Sequence, residues 1–159
     1  NNVQNSQSTI SLFATWTITD FASGNLGVYG RFNTTGAGLE ILTITPGSPT
    51  TLTINGTTRT TGSTGASRMW DSATQSITSI LGNSTSVAAY KNNSGVTLSN
   101  SSPMPTLNNT SSVTLGGFKT FSQFNNMYGN IQEFVIWTSN QTANITEINS
   151  NINKYYGTY

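Results

Sequence analysis

Histidine and cysteine are both absent from the 159 residues. Their absence excludes imidazole-dependent triads, cysteine nucleophiles, structural zinc, iron–sulfur and haem-thiolate sites, and any disulfide frame. Charge is almost as scarce. Six Lys and Arg stand against five Asp and Glu, 7% of the chain, where an ordinary soluble domain carries about a quarter. That balance creates no field to steer nucleic acid or an anionic membrane, and no Lys/Arg cluster repairs it. No apolar run approaches the ~20 residues of a spanning helix, so no membrane insertion is expected. No basic-then-apolar leader opens the chain, and residue 1 is Asn, so the parent polypeptide is expected to be longer or processed.

What fills the chain instead is hydroxyl and amide: 28 Thr, 21 Ser and 20 Asn. Low hydrophobicity alone would permit disorder, but disorder also favours high net charge and few aromatic or β-branched residues. Here aromatics are 10% and Thr and Ile are abundant, which suits pleated, half-buried surfaces. The length suits one all-β sandwich, and residues 1–159 are read as a single domain.

Alternation is clearest over Ile10–Ile18. Ile10, Leu12, Ala14, Trp16 and Ile18 take one face, and Ser11, Thr15 and Thr17 take the other with Phe13, a period-2 strand with Trp16 in the core. Further strands are expected at 28–32, 39–44, 50–54, 57–61, 67–71, 76–81, 85–91, 96–98, 112–116 and 131–137. Asn55-Gly56 marks a tight hairpin, because both central residues of a type I′ turn need positive φ. Residues 118–126, rich in Phe and Asn, read as a loop. Strands recurring every 8–12 residues between turn clusters fit a sandwich or barrel. The end differs: Ile145, Ile148 and Ile152 recur at helical spacing, and Asn144 with Glu147 three residues on resembles a capping box. One amphipathic helix is expected over 142–155, ended near Gly157, with its apolar stripe packed at one end of the sandwich.

The tail Tyr128-Gly129-Asn130-Ile131-Gln132-Glu133-Phe134-Val135-Ile136-Trp137, followed by Ser139-Asn140-Gln141 and the stretch Ile148 to Tyr156, resembles the closing strand and helix of concanavalin A-like, laminin-G-like jelly-roll domains. Such domains occur on virion and tail proteins of bacteriophages infecting Bacteroidetes and on related secreted bacterial proteins. Residues 86–94 are similar to the family's strand-then-turn hairpin, and Val113-Thr114-Leu115-Gly116-Gly117 to its "hydrophobic-x-hydrophobic-Gly" strand. The Ile10–Ile18 strand matches in position a family strand that one or two earlier strands usually precede. The resemblance implies an antiparallel jelly-roll β-sandwich with one C-terminal helix. It also implies a virion-surface or extracellular location.

Catalytic relatives in the wider superfamily carry paired acids (E-x-D-x-x-E), and no such run exists here. A glycosidase needs two carboxylates flanking the bond, about 5 Å apart for retention. Asp20, Glu40, Asp71, Glu133 and Glu147 are all isolated in sequence. Glu133 shares strand parity with Ile131, Val135 and Trp137 and is read as a buried structural residue, so no enzyme is expected. No cofactor is expected either. The resemblance allows one rim calcium, and Asp20 and Asp71 would be its weak ligands among the six to eight oxygens the ion takes. For ligand contact the candidates are Trp70, Asp71, Tyr90, Asn92, Asn125 and Asn126: aromatic faces suit a pyranose, and carboxamides suit its hydroxyls. Trp137 is expected in the core.

Two readings of function stand. The first is a non-catalytic structural or adhesive module on a virion (fibre, tail or capsid decoration), packed against other subunits or copies of itself. Its motive is that so few Lys and Arg cannot guard the edge strands of a sandwich. The second is a lectin-like domain for extracellular glycan. Nine N-x-S/T triplets begin at Asn33, Asn55, Asn83, Asn92, Asn100, Asn108, Asn109, Asn140 and Asn144. They are read as a consequence of composition unless the source glycosylates.

Overall fold

The computed structural model describes residues 8–18, 26–32, 39–45, 51–54, 57–60, 74–104, 113–115, 117–119, 124–126 and 129–159. The strands are β1 (Ile10–Ile18), β2 (Leu26–Phe32), β3 (Leu39–Thr45), β4 (Thr51–Ile54), β5 (Thr57–Thr60), β6 (Ser76–Gly82), β7 (Val87–Lys91), β8 (Ser94–Val96), β9 (Val113–Leu115), β10 (Gly117–Lys119), β11 (Phe124–Asn126) and β12 (Gly129–Trp137). They form two five-stranded antiparallel sheets, β12-β1-β6-β7-β8 and β5-β4-β3-β2-β9, and a β10-β11 ribbon. One helix, α1 (Ile145–Tyr156), closes the chain. The architecture is an all-β antiparallel sandwich with a C-terminal amphipathic helix.

The two faces of β1 do different work, as its alternation predicts. Ile10, Leu12, Ala14 and Trp16 pack with Ile80, Val87, Ala89, Val96 and Met104 in the inner core, and Trp16 has no exposed surface. Phe13, on the opposite face with Ile77 and Leu81, meets Ile145 and Ile152 of α1. The helix thus lies along the outer face of β1 and β6, not at one end of the sandwich. The reason is Phe13: one large apolar residue amid hydroxyls, together with Ile77 and Leu81, gives the outer face something to bury. Every residue of β6 is buried as a result.

Local chemistry sets the elements' limits. Asn92 and Asn93 hold φ of 47° and 65°, the two positive values of a type I′ turn, and Lys91 pairs with Ser94 across it. The turn closes in two residues, so β8 starts at Ser94 and not at Val96. The pairing Ile54↔Thr57 likewise leaves only Asn55-Gly56 between β4 and β5. That dipeptide lies outside the described residues, as does the strand expected at 67–71. The stretch read as a loop at 118–126 instead contains the β10-β11 pairing, with Phe118 opposite Asn125 and Gly117 opposite Asn126.

A bulge removes Ile131 from the parity it was expected to share with Glu133, Val135 and Trp137 on β12. Thr15 pairs with Glu133 but Trp16 with Ile131, so Gln132 is the extra residue. Ile131 therefore packs on the inner core with Phe134 and Ile136, whereas Glu133, opposite the outer-face residue Thr15, lies on the helix side. Trp137 is on that side too, half-buried, its ring 5.4 Å from Phe13 at 85°. It packs against the core cluster beneath the helix.

The capping box does not form. Asn144 makes no side-chain cap bond; its Nδ2 donates to Gln141 Oε1. A single 3-10 turn, Thr142–Asn144, precedes α1, and Asn140 starts it, its Oδ1 accepting from Thr142 N at 2.9 Å and Oγ1 at 2.6 Å. Ser11 fastens this junction to β1: its hydroxyl donates to Ser139 O at 2.9 Å and accepts from Gln141 N at 3.0 Å. At the far terminus Gly157 takes φ 62°, and its N–H reaches Asn153 O, the left-handed cap that glycine favours.

Candidate binding surface

The first sheet has two ends. At one, here the Ser11 end, β1 begins, β6 finishes at Gly82, β7 begins at Val87 and β12 finishes at Trp137. At the other, the Asn92 end, lie the β7-β8 turn and the start of β6. Helix α1 starts beside Ser11 and runs toward the Asn92 end, where Asn149 Nδ2 meets Asn93 Oδ1 at 3.4 Å. Tyr156 Oη donates to the backbone O of Gln132, the bulge residue.

The ligand residues expected from sequence separate into three groups. Trp70 and Asp71 lie outside the described residues, as does Asp20. Asn125 and Asn126 sit in β11 opposite Phe118 and Gly117. Tyr90 and Asn92 both lie toward the Asn92 end, and each makes contacts within the fold. Tyr90 packs half-buried in the cluster beneath α1, and Asn92 Oδ1 accepts from Ile77 N at 2.9 Å while Asn92 N reaches Ile77 O. Among the described residues no three acidic side chains gather to hold a metal.

Sequence reading missed the exposed aromatics of the C-terminal tail. Among the described residues the large apolar side chains left exposed are Leu115, Tyr155 and Tyr159, and Tyr155 retains 83% of its surface. Helical spacing gave no signal for this: Tyr155 lies three residues after Ile152 and seven after Ile148, at the edge of the Ile145, Ile148, Ile152 and Tyr156 stripe, and only the structure leaves it uncovered. The Tyr155 and Tyr156 rings meet edge to face, 4.8 Å apart at 75°. The tail beyond is fixed by one carboxamide. Asn153 Oδ1 accepts from Thr158 N at 2.8 Å, Thr158 Oγ1 at 2.9 Å and Tyr159 N at 3.0 Å, and its Nδ2 donates to Tyr159 O. Because the tail is ordered in advance, less conformational entropy is lost when it engages a partner. Exposed Asn130 and Gln132 on β12 add carboxamides near the same end.

Desolvation pushes the Tyr156 phenol above its ordinary range, and the Glu133 carboxylate and then Tyr155 add to the shift. Desolvation alone raises Tyr159. Both phenols stay neutral hydrogen-bonding groups at physiological pH. The surface therefore offers ring faces, hydroxyls and amides.

No protein-family model and no curated protein sequence matches the chain. Solved structures do match in fold. A mutant of Trypanosoma rangeli sialidase displaying trans-sialidase activity matches with a TM-score of 0.65 at 15% identity, over 86% of this chain and 22% of that one. Trypanosoma rangeli sialidase itself matches with a TM-score of 0.63 at 15% identity over 86% and 21%. The same sialidase in complex with sialic acid gives 0.62 at 11% identity over 86% and 22%. The likeness is one of fold, and the chain spans about a fifth of those proteins' length.

Proposed function

We propose that this chain is a non-catalytic, concanavalin A-like adhesive module of an extracellular or virion surface, and that it recognises glycan through its C-terminal tyrosines. The observation that carries the reading is Tyr155, exposed over 83% of its surface beside a tail immobilised by Asn153. An aromatic left this exposed at the edge of the stripe buries little surface and suits the apolar face of a pyranose. The fold likeness to part of a sialidase is compatible with a module that accompanies sugar chemistry without performing it. The described carboxylates favour no catalysis: Glu133 lies half-buried on the helix side of β12 and Glu147 is exposed on the first turn of α1.

A second reading, packing against virion subunits or further copies, is favoured by β12. It is an edge strand of nine residues with Glu133 as its single charge and no Lys to discourage pairing. The Gln132 bulge is its main defence.

A glycan array probed with the whole chain tests the first reading. Binding that falls at least tenfold in Tyr155→Ala, with an unchanged melting temperature, is expected. Absence of any glycan signal, together with light scattering that shows assembly through β12, would move the assignment to the second reading. Turnover of a polysaccharide or sialoside that is lost in Glu133→Gln would overturn the non-enzyme assignment.

A further inference from the structure

The structure separates the N-x-S/T triplets into two kinds. Five of the nine begin at described residues: Asn83, Asn92, Asn100, Asn140 and Asn144. In three, the Asn Oδ1 accepts from both the N–H and the hydroxyl of the residue two places on. Asn83 accepts from Thr85 N at 2.8 Å and Thr85 Oγ1 at 2.6 Å, and also from Ser86 N at 2.9 Å. Asn140 accepts from Thr142 N at 2.9 Å and Thr142 Oγ1 at 2.6 Å. Asn100 accepts from Ser102 N at 2.8 Å and from Ser102 Oγ.

The other two are built differently. Asn92 spends its Oδ1 on Ile77 N within the sheet and takes a φ of 47°. Asn144 opens α1, so Thr146 is helical, and its Nδ2 is already given to Gln141 Oε1.

The difference has a chemical consequence. An amide nitrogen is a weak nucleophile because its lone pair is delocalised onto the carbonyl oxygen. Two donors on Oδ1 stabilise the charge that oxygen carries, make the Nδ2 protons more acidic, and hold the hydroxyl beside the carboxamide. In this Asx-turn geometry only Oδ1 is used, and Nδ2 stays available. The three turns also share a location. Asn83 follows Gly82 at the end of β6, and its carbonyl accepts from Met104 N. Ser101, next to Asn100, accepts from Val87 N. Asn140 follows Ser139, which Ser11 binds. All three lie at the Ser11 end of the first sheet, away from the Asn92 turn.

We propose that Asn83, Asn100 and Asn140 form a cluster of N-glycan acceptors on one rim of the sandwich, the donor being an oligosaccharide linked to a polyprenyl diphosphate. In the transfer Nδ2 forms a bond to the anomeric carbon, and the bond from that carbon to the diphosphate oxygen breaks. The lipid diphosphate leaves with the electron pair, and the Nδ2 proton passes to a base of the transferase. Glycan on Nδ2 leaves every Oδ1 contact intact, so the turns survive modification. Asn92 differs in where its Oδ1 is engaged: it accepts from Ile77 N of β6, outside its own triplet. Modified in this way, one rim is covered by sugar while the tyrosine tail at the other end stays open.

The test is to incubate the folded chain with a purified oligosaccharyltransferase and its lipid-linked oligosaccharide, then map glycan site by site by mass spectrometry. Occupancy at Asn83, Asn100 and Asn140 several-fold above that at Asn92 and Asn144 is expected, with circular dichroism unchanged. No glycan at the three sites, or equal occupancy at Asn92 or Asn144, overturns the proposal. This outcome is independent of whether Tyr155 binds glycan.

Discussion

The Ser79 hydroxyl on β6 donates to Asn149 Oδ1 on α1 at 2.8 Å, and both residues are fully buried. This polar contact lies beside the apolar cluster of Phe13, Ile77, Leu81, Ile145 and Ile152. A buried hydrogen bond adds only about 1 kcal/mol net, but an orphaned partner costs about 1–3 kcal/mol. The pair therefore fixes where the helix sits along the sheet more than it drives docking.

Asn149→Ala and Ser79→Ala should each lower unfolding free energy by about 1–3 kcal/mol, since each strands the other partner. The double variant should cost clearly less than their sum. Urea midpoints at constant m-value measure all three, and strict additivity would show that the bond carries no coupling.

Trp16→Ala should cost about 3–5 kcal/mol, as large-to-small changes of aromatic core residues do, a large share of a typical domain's stability. Phe13→Ala should also destabilise strongly, but through the helix interface. Faster amide exchange in α1 than in β7 would distinguish the second variant from the first.

Thr15 Oγ1 and Thr78 Oγ1 are buried without a hydrogen-bond partner. Thr15→Val and Thr78→Val keep the β-branch and remove a hydroxyl whose desolvation is uncompensated, so each should raise stability by about 1 kcal/mol. A loss of stability on thermal melting would mean that these hydroxyls are partnered in solution.

Gly82→Ala places a Cβ 2.9 Å from Met104 Sδ, 3.3 Å from Met104 Cβ and 3.4 Å from Ile10 Cγ2. The thioether can swing aside but Met104 Cβ is tied to the backbone, so a loss of about 1–3 kcal/mol is expected. Gly157→Ala, with open space around it but φ 62°, should cost about 1 kcal/mol through backbone strain alone. Equal denaturant midpoints for wild type and either variant would contradict these accounts.

The raised phenols give a pH signature. A folded-state pKa above the unfolded one means that the native state holds the proton more tightly. That stability is complete below the ordinary phenol range and is lost as pH rises through the folded value. Tyrosinate absorbance should show Tyr156 titrating late, and Glu133→Gln should bring it earlier without abolishing the shift, because desolvation is its larger cause. An unchanged titration in Glu133→Gln would remove the carboxylate from the argument.

The sequence by itself determined what depends on neighbours along the chain. The period of 2 in β1 fixed which residues face inward, because successive side chains of a strand alternate. The i, i+3, i+7 isoleucines fixed the helix and its buried stripe. The absence of His and Cys removed whole chemistries without any fold. Only tertiary structure decided the rest. Ile131 parted from the face of Glu133, Val135 and Trp137 because one residue bulges opposite Thr15 and Trp16, and nothing in Gln132 announces a bulge. Phe13, which alternation alone leaves among polar neighbours, became the seat of a helix more than a hundred residues away. Asn140, and not Asn144, starts the helical segment, because Ser11 of a distant strand holds the junction in place. Asn92 lends its Oδ1 to Ile77 N on a strand fifteen residues earlier. Pairing across sheets and docking across faces compare segments far apart in the chain, and local pattern carries no information about which of them will meet.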